Sequence, residues 1–238
     1  MEKIINYENL SYFAYSNDKE IKGEIRGVVL NFFGLGGMAM YPEGTNDGHF
    51  FAEKNVLYIT PYTNPWGWMN KDEVNLTDEI LDVLFDKYNL SNDIPIVSTG
   101  GSMGGLACIV YTKYAKRTPI GCVANCPVCD LPYHFTERVD LPRTLYSAFY
   151  SYDCDLDTAL KSASPLHLID TLPQETEYII FHCDKDRAVN INMHSEKFVD
   201  ALAKTRDVRF YIAKGRDHCD LGERLSEKYR EEILGFIS

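Results

Sequence analysis

Short, unbroken apolar runs alternate along this chain with longer stretches whose apolar residues recur every three or four positions. Runs at 28–33, 56–59, 94–99, 120–124, 178–182 and 208–212, with a weaker one at 12–15, are too short for helices and carry little polar alternation. That is the pattern of strands covered on both faces. Between them, 77–88 puts Ile80, Leu81, Leu84, Phe85 and Tyr88 on one helical face, and 104–116 does the same with Leu106, Ile109, Val110 and Tyr114. Segments 192–204 and 222–236 read the same way. Strands alternating with amphipathic helices predict an α/β chain with a largely parallel sheet and helices on both faces. One stretch breaks the alternation. Residues 127–173 hold Pro127, Pro132, Pro142 and Pro165 together with Tyr133, Phe135, Tyr146, Phe149, Tyr150 and Tyr152. A connection of this length inside a compact domain is functional or carries helices of its own. We expect it to be a small cap inserted between two strands of a single domain spanning 1–238.

Composition narrows the classes of partner. A chain of 238 residues, 45% hydrophobic and 25% charged, is long and ordinary enough to bury one sizeable core. With 24 Lys+Arg against 35 Asp+Glu, the net charge is −11, and no dense basic run stands out. Nucleic acid and anionic membrane surfaces are therefore not expected partners. The first ten residues are polar, and the longest apolar stretch, 27–40, is broken by glycines and Asn31. Neither a secretory signal nor a membrane span is expected, and the protein is expected to be soluble and cytoplasmic. Seven cysteines, an odd number, argue for free thiols rather than a disulfide framework.

The strongest chemical signal is Gly100-Gly101-Ser102-Met103-Gly104, set between the predicted strand at 94–99 and the predicted helix from 104. Gly-x-Ser-x-Gly at a strand-to-helix turn is a nucleophile elbow. The serine backbone must be strained to lift its hydroxyl clear of the sheet, and its neighbours must be tiny because strand and helix pass close together. The amide of Met103, at the start of the helix, is then placed to stabilise an oxyanion. A nucleophilic serine needs a base, and the base needs a carboxylate to orient it. Past the predicted strand at 178–182 come Asp184 and Asp186, and past the strand at 208–212 comes Gly215-Arg216-Asp217-His218. Carboxylate and imidazole thus fall at the carboxyl ends of neighbouring strands, the edge where open parallel sheets bind ligands. Of the six histidines, only His218 follows the last strand after a glycine, whereas His182, ending a strand, reads as structural.

From about Val28 to its end the chain resembles the serine hydrolases of the α/β-hydrolase superfamily, and is similar to their small carboxylesterase and prolyl-oligopeptidase-like members. The acid turn in such proteins often reads His-Gly-x-x-Asp-x-x-Val, and His182-Cys183-Asp184-Lys185-Asp186-Arg187-Ala188-Val189 matches with Cys in place of Gly. The resemblance selects Asp186 as the triad acid, with Asp184 as runner-up, and His218 as the base. It also implies a second oxyanion donor in Phe33-Gly34-Leu35-Gly36-Gly37, where Leu35 is expected to serve, with Gly34 next; Phe33 stands where the family often has His. The implied fold is the α/β-hydrolase fold. The implied activity is hydrolysis of a carboxylic ester through a Ser-His-Asp triad and an acyl-enzyme, with peptide or amide cleavage, acyl transfer, or a non-catalytic binding module as alternatives.

Weaker signals complete the picture. Trp66 and Trp68 follow the strand at 56–59 and, with Tyr133 and Phe149, are expected to line a pocket for an uncharged apolar or aromatic acyl group. The expected substrate is a small-molecule ester or short peptide-like compound. Cys122, Cys126 and Cys129, with His134 nearby, have metal-like spacing, but Cys122 lies inside a predicted strand. No metal and no cofactor is expected, and a homo-oligomer is compatible with the sequence.

Overall fold

The computed structural model describes residues 4–237. Its seven strands are β1 (Ala14–Ser16), β2 (Gly27–Phe32), β3 (Val56–Pro61), β4 (Ile96–Gly101), β5 (Gly121–Asn125), β6 (Glu177–Cys183) and β7 (Val208–Ala213). They form one sheet in the order β1-β3-β2-β4-β5-β6-β7, with β1 antiparallel to β3 and every other pairing parallel. Successive side chains enter opposite cores, as the pleat requires. Val28, Leu30 and Phe32 face one core and Val29 the other; Tyr178 and Ile180 face one, Ile179 and Phe181 the other. Both faces of β2 to β6 are largely buried, which is why these strands read as continuous apolar runs.

Three long helices were legible as periodic stretches: α2 (Lys71–Tyr88), α3 (Met103–Tyr114) and α9 (Gly222–Gly235). Two features differ from expectation. A short helix, α1 (Asn46–Ala52), follows β2, capped by Thr45, whose hydroxyl accepts from the Gly48 amide. The expected helix at 192–204 is instead one π-helical turn, Asn192–Glu196, followed by α8 (Lys197–Leu202). The wider turn brings the adjacent residues His194 and Ser195 both to buried positions.

Residues between β5 and β6 form a helical insertion: α4 (Leu131–Glu137), α5 (Leu141–Phe149), α6 (Leu156–Ser162) and α7 (Pro165–Leu168). Asp130 and Asp155 cap α4 and α6 through the Tyr133 and Thr158 amides. The winding reverses between β3 and β4, so the neighbours β2 and β4 feed α1 on one face and α3 on the other. A crevice at the carboxyl ends of these strands is the geometric consequence. Among the described residues, no helix is long and apolar enough to cross a membrane.

Candidate active site

Ser102 stands alone between β4 and α3 at φ 60° and ψ −122°, a conformation that non-glycine residues adopt only under constraint. Its amide donates to the Asn125 carbonyl at 2.9 Å. A Cβ on Gly100 would collide with the Gly104 carbonyl, and one on Gly104 would collide with the Phe32 carbonyl. The glycines of the motif are therefore required by the close crossing of β4, α3 and the end of β2. The loop after β2 passes over this turn. A Cβ on Gly34 would sit 3.8 Å from Ser102 Cβ, and the Gly37 amide closes the loop onto the Gly34 carbonyl at 3.0 Å. Phe33 stacks on Tyr41 and Tyr62, with ring centroids 5.8 and 6.4 Å away, which fixes the entry to the loop. Gly34, Leu35 and Met103 thus all belong to backbone beside the serine, and the Met103 amide lies in the first turn of α3, where helix N–H groups lack intrahelical acceptors.

The turn after β6 carries Asp186. Its Oδ1 accepts the Ala188 and Val189 amides at 2.8 and 2.9 Å, and its Oδ2 lies 2.6 Å from His218 Nδ1. Asp184 is used otherwise, accepting the Gly215 amide at 2.5 Å and so joining the loops after β6 and β7. Burial works against charge on Asp186, but hydrogen bonds from His182, His218 and the Val189 amide outweigh it and hold the carboxyl far below its usual range. An ionised carboxylate only accepts, so His218 Nδ1 carries a proton, and in the neutral imidazole it is Nε2 that presents the lone pair. Burial pulls the His218 pKa down, yet the hydrogen bond to Asp186, followed by the neighbouring Cys126 sulfur, pushes it up to about 9. The His218 loop is pinned by Asp217, whose Oδ1 accepts the His218 amide at 2.9 Å and whose carboxylate pairs with Arg187.

Asp186 and His218 are in direct contact, and Ser102 occupies the same sheet edge. The elbow and the imidazole meet through Cys219: its Sγ lies 3.7 Å from His218 Nε2 and 3.3 Å from where a Cβ on Gly101 would be. Among the described residues, no hydrogen bond runs from Ser102 Oγ to His218. Catalytic hydrogen bonds often tighten only once substrate is bound.

His182, read from the sequence as structural, is the partner on the other side of the carboxylate, a contact the sequence reading did not assign. His182 is fully buried, with Nε2 3.1 Å from the Val189 carbonyl and 3.3 Å from Asp186 Oδ2, and with Nδ1 2.6 Å from Ser195 Oγ. A carbonyl accepts only, so Nε2–H donates toward Val189 and Asp186, and the Ser195 hydroxyl donates to Nδ1. The available signal was a histidine inside an otherwise apolar strand, four positions before the acid.

The expected pocket residues separate. Trp66 is 42% exposed, and Tyr133 is half-buried with its ring edge-on to His194. Trp68 and Phe149 do not line an open pocket. Trp68 is 1% exposed, with Nε1 donating to Thr144 Oγ1 at 3.1 Å, and Phe149 is buried against Tyr152. Both fill the seam between the insertion and the turn before α2, where large rings bury the most apolar area and the indole N–H still finds an acceptor. The expected thiol set also separates: Cys122 contacts Cys108 Sγ at 3.6 Å, Cys129 contacts the Pro127 carbonyl, and Cys126 turns toward His218.

Solved structures with this architecture include the acylaminoacyl peptidase of Pyrococcus horikoshii, at TM-score 0.72 and 11% identity over 90% of this chain and 37% of that one. They also include the fluorophosphonate-binding serine hydrolase F of Staphylococcus aureus, at TM-score 0.70 and 16% identity over 91% of this chain and 86% of that one. A third is esterase 2 of Thermogutta terrifontis, phosphonylated by sarin, at TM-score 0.66 and 17% identity over 90% and 86%. Sheet order and these neighbours give the α/β-hydrolase fold. No curated protein matches the sequence. The model of the prolyl oligopeptidase family matches residues 67–238, and the chain belongs to that family.

Proposed function

We propose that this protein hydrolyses carboxylic esters, with Ser102 as nucleophile, His218 as general base and Asp186 as the carboxylate that orients it. The observation that carries the reading is the strained Ser102 turn on the same sheet edge as a preformed Asp186–His218 pair. His218, in its neutral form, takes the Ser102 proton as Oγ attacks the carbonyl carbon, and Asp186 stabilises the imidazolium. The Met103 amide and a second from Leu35 or Gly34 hold the oxyanion, each donor worth about 3–4 kcal/mol in comparable sites. His218 returns the proton to the departing alkoxide, then draws one from the water that releases the acyl group. Met38, Met40 and Trp66, exposed on the loops that leave β2 and β3 at this edge, favour an uncharged apolar or aromatic acyl group.

Family membership favours a second reading, amide or peptide cleavage. The acylaminoacyl peptidase has its match in 37% of its own length, so this chain spans only part of such an enzyme. Two assays separate the readings. A fluorophosphonate should label wild type at Ser102 and His218→Ala far more slowly; equal labelling of both would sink the triad. A panel of p-nitrophenyl esters against aminoacyl arylamides should show faster ester turnover, and faster arylamide turnover would establish the peptidase reading instead.

A further inference from the structure

The Nε2 edge of His218 is bordered by two thiols. Cys219 Sγ lies 3.7 Å from Nε2, and Cys126 Sγ accepts the Cys219 amide at 3.4 Å. Cys126, Cys219 and His218 each bring one donor atom to within 4.8 Å of the other two. Both cysteines are held in the left-handed region, at φ 46° and 60°, where a non-glycine residue persists only if its surroundings impose it. Two strained residues from separate strand exits thus converge on one imidazole.

We infer that Cys126, Cys219 and His218 form a binding site for a soft divalent cation, zinc being the type case, which occupies the base and silences Ser102. Tetrahedral zinc with ordinary bond lengths sets sulfur and nitrogen ligands about 3.5 Å apart and two sulfurs about 3.8 Å apart. The His218–Cys219 separation of 3.7 Å is already close to this. Two thiolates balance the ionic charge; the two thiol protons pass to solvent as the metal–sulfur bonds form, and where His218 is imidazolium its Nε2 proton leaves to solvent as the metal–nitrogen bond forms. The Asp186 hydrogen bond to Nδ1 leaves the Nε2 lone pair outward, which is the support that orients metal-binding imidazoles generally. Water completes the fourth position. Half-buried Cys219 also lines a cleft of about 250 Å³ beside Gly101, Asn125 and Tyr229, which gives an ion a way in.

Two further compact donor groups lie among the described residues. In one, Cys126, His182 and Asp186, the His182 Nε2–H already donates toward Val189 and Asp186, so that nitrogen offers no lone pair. The second, His134, Glu137 and His194, is likewise of a different kind. His194 Nδ1 accepts the Cys129 and Asp130 amides at 3.1 and 3.2 Å, so its Nε2 carries the proton and donates to Glu137 at 2.8 Å. A protonated nitrogen has no lone pair for a metal.

Cation binding rests on this geometry alone, whereas inhibition rests on the reading of His218 as base, and the test keeps them apart. Cobalt(II) is titrated into the full chain carrying Cys154→Ser, which removes the one exposed cysteine. Thiolate-to-cobalt absorption should saturate at one equivalent. Binding should weaken roughly tenfold or more in Cys219→Ala, a change at a half-exposed position, and in Cys126→Ser. Absence of the band in the folded protein, or an unchanged band in both variants, overturns the site. In parallel, one equivalent of zinc should slow fluorophosphonate labelling about tenfold, chelator should restore it, and the ratio of rates with and without zinc should approach one in Cys219→Ala. Equal suppression in both proteins overturns the inhibitory role. A wild type that fails to label even without metal refutes the hydrolase reading, and the cobalt band then decides the site by itself.

Discussion

His182 gives Asp186 a second imidazole donor beside His218. The carboxylate accepts two amides on one oxygen and two imidazoles on the other, and Ser195 in turn fixes the tautomer of His182. Losing a hydrogen bond to a charged acceptor costs about 1.5–3 kcal/mol, so His182→Ala should lower kcat roughly ten- to hundredfold. If His182 acts by positioning Asp186, KM on a p-nitrophenyl ester stays near wild type, whereas a purely structural role would lower the unfolding midpoint and leave the kcat of the folded fraction intact. Asp186→Asn, which turns His218 to the wrong tautomer, should cost about 10⁴ in kcat. Strand exits with their own turn residues singled out Ser102, His218 and the pair Asp184 and Asp186, and the family resemblance chose Asp186 between the two acids. The sequence did not point to His182, Ser195 or Cys219, whose roles depend on which atoms the fold brings within hydrogen-bond reach. Nor could it separate Trp68 and Phe149 from Trp66, since an aromatic residue at a strand exit reads alike whether it lines a pocket or fills a seam.

Strands were easier to read than helix ends. Six apolar runs match β2 to β7 within two residues at each end. For β2 to β6 the reason is burial on both faces; the edge strand β7, with Arg209 exposed, keeps its apolar run although it is only partly covered. The start of α2 lay six residues earlier than its apolar periodicity. Asn70 Oδ1 accepts the Asp72 and Glu73 amides at 3.1 Å each, and Glu73 Oε2 reaches back to the Met69 amide at 2.9 Å. This is capping chemistry, written as Asn-x-x-Glu and invisible to hydrophobic periodicity. α1 escaped because a seven-residue helix burying Phe51 and Ala52 has too little apolar surface to show a period. The Glu73 device has a consequence for stability. Burial raises its pKa from 4.5 to about 7, against the Met69 and Asn64 amides that favour the anion, and its Oε1 has no partner. Between those two values the folded chain holds a proton that the unfolded chain has lost, so stability falls as pH rises from 4.5 to about 7 and is flat beyond on either side. Glu73→Gln, which keeps the acceptor for Met69, should abolish that slope and be up to about 3 kcal/mol more stable above pH 7. Urea unfolding across this range checks it; parallel pH profiles for the two proteins would rule out Glu73 as the source.

The helical insertion is tied to the rest of the molecule on two sides. On one, Trp68 bonds Thr144, Asn70 Nδ2 donates to the Ala148 carbonyl at 3.0 Å, and the Lys71 amide donates to Tyr152 at 2.9 Å. On the other, Glu137 of α4 accepts from His134 of the same helix and from His194 before α8. Burial opposes charge on Glu137, but the two imidazole hydrogen bonds prevail and hold its pKa at about 2. Tied on both sides, the insertion is expected to stay fixed to the sheet, with Tyr133 set on it, rather than to swing away as a lid. Glu137→Ala would leave two nearly buried imidazole N–H groups without an acceptor, at about 1–3 kcal/mol each. Global stability should drop by about 2–6 kcal/mol. Because the Trp68 side remains intact, loss of protection should begin in α4: its amides should exchange much faster than those of α3, which stays between the sheet and its own neighbours. Hydrogen exchange read by mass spectrometry distinguishes the outcomes. If exchange rises equally in α4 and α3, the insertion and the sheet unfold as one unit. If protection and stability both stay at wild-type values, the Glu137 cluster is not what holds α4 to the sheet.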